Sequence, residues 1–474
     1  LPRSAPEAQG VSSAAISSFV DALATRIDHV HSVMVVRHGS VIAEGWWTPY
    51  AANKPHMLFS LSKSFTSTAI GMLQAEGKLS IEDTLIKHFP EAKSSDPANQ
   101  LNNLRLRDML CMSTGQNEAD IDKIPFVGDA PSKLFFATPV AHKPGTLWHY
   151  NTPATYMLSY TAQKVSGQRL VDYLAPRLFE PLGMGKPQWD QSNEGVDFGG
   201  FGLNLRTEDI AKFGQLLLRR GEYNGKRLLP AAWVDLASSR QSNNGSEPNS
   251  DWNQGYGFQF WRCQHGAFRG DGAFCQFMVV MPGQDCVVAI TSGSNDYQGV
   301  LNVVWDTLLP ELRPTTLPAD AAANSALTKK LKSLVLPPVV AEATPAADLP
   351  IGKTFSFAKN DWNLDSVTLM GGGRGPWLSI NMAGATMAWN FHSGTWTEGG
   401  AFPGSAHPQM GAGSKHVSVS GGWESDHVAK LKVCYDTTPF VDNWTLDFTG
   451  GKLKATLKRN VSFGPTDPVV IQLK

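Results

Sequence analysis

A serine and a lysine three residues apart occur twice in this chain, at Ser60-Leu61-Ser62-Lys63 and at Ser356-Phe357-Ala358-Lys359. The chemistry open to such a pair is acyl transfer. A serine hydroxyl is a weak nucleophile until a neighbouring base takes its proton. A lysine can be that base when burial or a nearby positive charge keeps it neutral part of the time. Both side chains must then reach one spot. Residues three apart share a face of a helix, with Cβ atoms about 5–6 Å apart, whereas on a strand they point to opposite faces. Ser60 stands at the start of a segment in which Phe65, Ala69, Met72 and Leu73 fall on one apolar helical face, and Gly77 followed by Lys78 ends it. Ser356 opens a strand-like segment, so the second copy is read as coincidence. A helix start also turns backbone N–H groups toward developing negative charge. The bland alternative, a polar helix N-terminus with a solvated lysine, fits this one motif equally well.

The surrounding elements must position the pair. Residues 11–26 carry apolar residues at helical spacing, and 31–47 read as a hairpin turning at His38-Gly39. Helices are predicted at 153–166, 169–179, 207–219, 229–238 and 296–309. Strands are predicted at 256–261, 274–281 and 286–293. Helix, hairpin, many helices, then a meander and a helix imply an α+β fold, an antiparallel sheet flanked by helices. Residues 312–350 are rich in Pro and Ala and read as a linker containing a helix. Residues 351–474 alternate in short strands rich in Gly and Trp, giving an all-β barrel or sandwich of about eight strands. The organisation expected is one domain over 1–311, the linker over 312–350, and a β domain over 351–474. Six tryptophans in that last part (362, 377, 389, 396, 423 and 444) suggest either sugar stacking or, by default, core packing.

Composition removes several function classes. With 474 residues, two domains are expected. Forty-one Lys+Arg against 42 Asp+Glu leave a net charge of -1, which argues against a nucleic-acid partner. No apolar run approaches the roughly 18 residues of a membrane span, so no integral membrane segment is expected. Five cysteines without C-x-x-C spacing are read as buried thiols, with a Cys263–Cys275 bridge left open. Twelve histidines show no paired metal spacing, and no P-loop, dinucleotide fingerprint or G-x-S-x-G elbow occurs, so neither a metal nor a cofactor is expected.

Further ordered segments narrow the reading. FSLSKSFTSTAIG is followed by LRDMLCMSTG, PGTLWHYN, GGFGLNLRTEDIAKFGQLLL, and GDGAFCQF before strands ending in ITSG. Over roughly residues 5–310 the chain resembles the serine β-lactamase/penicillin-binding-protein-like hydrolases, closest to the class C branch with its esterases, D-aminopeptidases and nylon-oligomer hydrolases. That resemblance implies a sheet flanked by helices plus an all-helical subdomain. It implies Ser60 as nucleophile, Lys63 as its partner and Tyr150 as a second acid/base group. The oxyanion hole would be the backbone N–H groups of Ser60 and Ala273. Substrate would be met by Asn151 and by Gly270, Asp271 and Gly272, a small-residue turn before a strand.

Two departures from the family pattern bear on substrate. The second motif, commonly Tyr-x-Asn, reads Tyr150-Asn151-Thr152, and the third, usually opened by Lys or His, reads Gly270-Asp271-Gly272. Without a cation there, efficient β-lactamase activity is not expected. Arg269 next door is read as an exposed turn arginine. The expectation is a serine hydrolase cleaving an ester, amide or peptide bond of a small-molecule or peptide substrate through an acyl-serine. The alternatives are a D,D-peptidase-like cell-wall enzyme and a non-catalytic penicillin-binding-type sensor. Relatives commonly act outside the bacterial cytoplasm, so a periplasmic or secreted location is expected. For the β domain the roles are covering the cleft, forming an oligomer or stabilising the chain.

Overall fold

In the computed structural model, residues 1–121, 130–372, 375–402, 410–411 and 415–474 are described. Val30–Arg37 (β1) is a wholly buried strand. Met34 and Val36 enter one core while Val33 and Val35 enter another, because successive side chains of a strand point to opposite faces. It pairs with Ser40–Trp46 (β2) across the expected hairpin. Trp261–Arg262 (β3), Phe268–Gly272 (β4), Gln276–Met281 (β5) and Cys286–Ser292 (β6) complete an antiparallel sheet ordered β2-β1-β6-β5-β4-β3.

Helices cover both faces. Ser13–Arg26 (α1), capped by the Ser12 side chain, lies on the Val33/Val35 face. Ser62–Ala75 (α2), Thr152–Ser166 (α3) and Thr207–Leu218 (α4) share the core on the Met34/Val36 face. Phe65 of α2 stacks on Phe213 of α4 with ring centroids 3.9 Å apart, a fully buried side chain contributing about 1.5–3 kcal/mol. Tyr297–Val303 (α5) joins α1. Ala321–Lys332 (α6), the helix expected within 312–350, packs on α1 and β2. The predicted helices at 169–179 and 296–309 both finish in a wider, π-type turn.

One predicted strand is lost. Between the isolated bridges of Tyr256 and the start of β3 at Trp261 the chain is not a strand, and Gln259 takes a positive φ of 65°. That conformation aims its side-chain amide at the carbonyls of Met109 (3.2 Å) and Leu110 (2.9 Å). All five cysteines are buried free thiols.

The C-terminal part is strand-rich, as its alternation predicts, with ten strands among the described residues against the about eight expected. Thr354–Ser356 (β7), Leu364–Met370 (β8), Trp377–Met382 (β9) and Ala385–Trp389 (β10) form one sheet. Thr397–Phe402 (β11), Lys415–Trp423 (β12), Val428–Tyr435 (β13), Val441–Asp447 (β14), Lys454–Arg459 (β15) and Val469–Ile471 (β16) form another. A Phe357–Leu473 bridge joins the two. Trp389 and Trp444, 5.0 Å apart, are buried in their common core. This part is fastened to the first sheet. The Met57 N–H donates to Thr437 O at 2.9 Å, the Tyr50 hydroxyl to Thr438 O at 2.8 Å, and Asn460 Nδ2 to Gly293 O at 2.9 Å. Phe59 and Phe274 insert into the C-terminal core. No helix among the described residues is long and apolar enough to cross a membrane.

Candidate active site

The S-x-x-K segment begins in a short 3-10 turn, Phe59–Leu61, that runs directly into α2. Phe59 has φ 47°, a left-handed conformation that a bulky side chain adopts only when its surroundings impose it. This backbone leaves Ser60 half-buried while Phe59 and Leu61 are buried. One turn on, Lys63 is sunk in the protein. Its Nζ donates to Ser60 Oγ at 3.0 Å and to Gly200 O at 2.9 Å. Burial pulls the Lys63 ammonium down to about 7, against the opposing pull of the Asp271 carboxylate. The polar residues of α2 that the apolar stripe left for solvent are buried as well. Ser64 Oγ donates to Gln259 O at 2.9 Å and Thr66 Oγ1 to Gly199 O at 2.8 Å, tying the nucleophile's helix to two loops.

Tyr150 closes a second side. It sits just ahead of α3, its ring stacked on Trp261 at 5.7 Å and edge-on to Tyr256 at 6.4 Å. Lys63 Nζ lies 4.8 Å from its ring centre. Burial raises the Tyr150 phenol above its ordinary value, and a hydrogen bond with Ser60 pulls the other way. The phenol is therefore protonated near neutrality, where Lys63 is divided between its two forms.

β4 forms the third side, and here the structure corrects the reading of the glycines. Gly270, Asp271 and Gly272 lie within the strand, and the turn follows at Phe274 (φ 63°) and Cys275 (φ 67°). The glycines serve close approach. A Cβ on Gly270 would stand 2.2 Å from Leu61 Cδ1, and one on Gly272 2.0 Å from Leu58 O. Only bare backbone lets β4 lie against the turn that carries Ser60. Ala273, the next residue, is part-exposed at the strand's end.

Arg269 is corrected too. It is not an exposed turn residue but 0% exposed. Its Nε donates to Asp271 Oδ2 at 2.8 Å and its Nη1 to Asp251 O at 2.8 Å, with the guanidinium 4.1 Å over Trp252. Burial pushes the Asp271 carboxyl up to about 6, against Arg269 and Lys63. Removing one member of a buried ion pair leaves the other uncompensated, at a cost of about 3–5 kcal/mol. Asp271→Ala should approach that cost in denaturant unfolding followed by tryptophan fluorescence. Arg269→Met should cost less, because a stranded Asp271 can bind a proton whereas a stranded guanidinium cannot lose one. Equal losses from the two variants would contradict this.

Asn151 is also reassigned. It is 0% exposed and serves as the N-cap of α3. Its Oδ1 accepts from Ala154 N at 2.9 Å, and its Nδ2 donates to Thr114 Oγ1 at 3.1 Å and Gln116 Oε1 at 2.9 Å. Both amide protons are spent inside the protein, so the side chain has no donor left for a substrate. Two contributors escaped the motif reading. Gly200 O holds Lys63, and the only hint was the glycine cluster at 199–202. Gln259 braces α2, α3 and the end of the short helix Leu106–Leu110, and nothing local in its sequence marks it. The second S-x-x-K is far from this arrangement in character: Ser356 is exposed at the end of β7. Among the described residues, no group of three His, Cys, Asp or Glu side chains could hold a metal ion.

Known proteins share this arrangement of elements. The chain is 25% identical over 312 residues to the 6-aminohexanoate-dimer hydrolase of Paenarthrobacter ureafaciens, covering 58% of this chain and 78% of that one. The solved structure of a putative 6-aminohexanoate-dimer hydrolase from Bacillus anthracis superposes with a TM-score of 0.52 at 20% identity, over 65% of this chain and 86% of the other. The crystal structure of SurE with D-Leu superposes with a TM-score of 0.51 at 16% identity, over 90% of this chain and 97% of that one. The two structural likenesses show the fold, and the 25% identical relative supports a hydrolase. Residues 20–301 match the family described as Beta-lactamase, and the chain belongs to that family.

Proposed function

We propose that this chain is a serine hydrolase that cleaves an ester or amide through an acyl-Ser60 intermediate. The observation that carries the reading is Lys63: buried, held near neutrality, with its Nζ 3.0 Å from Ser60 Oγ. In the proposed cycle, neutral Lys63 accepts the Ser60 proton as Oγ attacks the substrate carbonyl carbon. The oxyanion that forms is received by the N–H groups of Ser60 and Ala273. Tyr150, protonated throughout most of the neutral range, relays a proton to the departing alcohol or amine. Water then repeats the attack on the acyl-serine, with Lys63 again as base.

The substrate class follows from charge and from likeness. Arg269, the cation next to the third motif in the chain, is buried and paired with Asp271. No positive side chain of that motif is therefore offered to the carboxylate of a β-lactam, and Asp271 adds a negative charge. A weak β-lactamase is the consequence. Similarity to a 6-aminohexanoate-dimer hydrolase favours a linear amide or ester of modest size.

The test is intact mass after seconds of mixing with p-nitrophenyl acetate, followed by a panel of linear amides, D-amino-acid peptides and β-lactams. An acyl adduct is expected; a protein that forms none and releases no nitrophenol would exclude the proposal. The pH dependence is a separate check. Because the base must be neutral, kcat/KM should rise with pH through an inflection near 7, the value at which Lys63 titrates. The Asp271 carboxylate raises that value, so in Asp271→Asn the inflection should move to lower pH. Its position does not depend on how much of the variant is folded.

A further inference from the structure

Lys63 keeps its place through a loop as well as through its helix. Its Nζ donates to Gly200 O at 2.9 Å, and Gly200 belongs to a buried three-residue turn, Phe198-Gly199-Gly200. The Gly200 N–H donates to Phe198 O at 2.5 Å, and Gly199 holds φ 66°. Glycine is free to take many other backbone conformations, so something must fix this one. Close packing bars side chains here: a Cβ on Gly199 would stand 2.6 Å from Ser159 Cβ, and one on Gly200 2.8 Å from Thr152 Cγ2. The polar clamp comes from α2. Thr66, 0% exposed, donates through Oγ1 to Gly199 O at 2.8 Å. From α3, Ser159 donates through Oγ to Asp197 O at 2.7 Å. Lys63 and Thr66 stand three residues apart on α2, a spacing that makes them neighbours on its surface. The amine and the Thr66 hydroxyl thus meet successive carbonyls of one turn.

We propose that Thr66 is a positioning residue for the general base: it fixes the Gly199–Gly200 peptide and so aims the Gly200 carbonyl at Lys63. This rests on the reading of Ser60 as nucleophile and Lys63 as base. A neutral amine has two N–H bonds and one lone pair. To accept the Ser60 proton the lone pair must face Ser60 Oγ, 3.0 Å away, which leaves the N–H bonds for other acceptors. Gly200 O takes one of them and thereby sets the rotation of the amine about its stem. The Gly199–Gly200 peptide is tied at both of its polar atoms, the carbonyl by Thr66 and the N–H by Phe198 O. Without the Thr66 hydroxyl one tie is gone, the Gly200 carbonyl swings, and the lone pair faces Ser60 for less of the time. Thr66 acts only through that peptide.

The experiment measures kcat/KM for p-nitrophenyl acetate across pH in the full chain, in Thr66→Val and in Thr66→Ser. Valine keeps the shape without the hydroxyl, and serine keeps the hydroxyl. Thr66→Val should lower kcat/KM by about 10–10²-fold, the scale on which misplacing a catalytic group by up to about 1 Å acts. Its inflection should also move below that of the parent, because withdrawing an acceptor from an amine removes support from the charged form. Asp271 and Tyr150, which face Lys63 from β4 and from the segment before α3, are unchanged in both variants. Thr66→Ser should restore both the rate and the inflection. The inflection does not depend on how much of a variant is folded. An unchanged rate, a rate loss with the parent's inflection, or a loss that serine fails to restore would overturn the proposal and leave Thr66 a packing residue. A parent protein with no acyl adduct on that ester, or no inflection near 7, would instead overturn the reading of Ser60 and Lys63, and this inference with it.

Discussion

Ser60→Ala is expected to lose the acyl adduct entirely and to lower kcat on activated esters by about 10⁴-fold or more, the range found when the nucleophile of a coupled catalytic set is removed. The argument is geometric. Ser60 carries the hydroxyl to which the buried Lys63 amine donates, at 3.0 Å, and alanine leaves that amine with nothing to deprotonate. A residual rate from oxyanion stabilisation and binding should survive. The matched control is Ser356→Ala. Ser356 is exposed at the end of β7 and Lys359 is exposed beyond it. That variant should acylate like the parent. Mass spectrometry of the intact chain decides it: an adduct that persists in Ser60→Ala, or disappears in Ser356→Ala, would reassign the nucleophile.

Lys63→Met is expected to cost about 10²–10⁴-fold in kcat/KM, the usual worth of a positioned general base. The pH profile should lose its inflection near 7, since the group that titrates there is gone. Stability should move in the opposite direction. A buried amine held near neutrality is a group whose charged form the protein disfavours, and methionine fills similar volume without a charge to desolvate. The hydrogen bond to Gly200 O is lost, but one neutral hydrogen bond is worth only about 1 kcal/mol net. The thermal midpoint should therefore equal or exceed that of the parent. A variant that loses activity together with its fold would show Lys63 to be a structural residue.

The contrast between these two residues and their neighbours shows where local sequence is informative. The Ser60–Lys63 juxtaposition needs only helical spacing, and the apolar face of Phe65, Ala69, Met72 and Leu73 announced the helix. The Met34/Val36 and Val33/Val35 alternation in β1 likewise carried its own periodicity. In the C-terminal part, alternation predicted strands, and the default reading of its tryptophans as core suits Trp389 and Trp444.

The misplacements were of another kind. Gly270 and Gly272 looked like a turn because glycine serves turns and close approaches alike, and the partners that required it, Leu61 and Leu58, lie more than two hundred residues away. Arg269 looked exposed because arginine usually is; Asp251, Trp252 and Cys263, brought round by the fold, gave it a buried site. Asn151 looked like a ligand because of its place in a motif, yet Thr114 and Gln116 had already taken its amide protons. The sequence by itself determined the family, the α+β architecture and the spacing of the Ser60–Lys63 pair, since periodicity and motif order act within a few residues. Which charges are buried, which amide is spent and how β4 lies against the nucleophile were settled by the tertiary structure. Those outcomes depend on contacts between distant segments, whose desolvation and steric terms have no local signature.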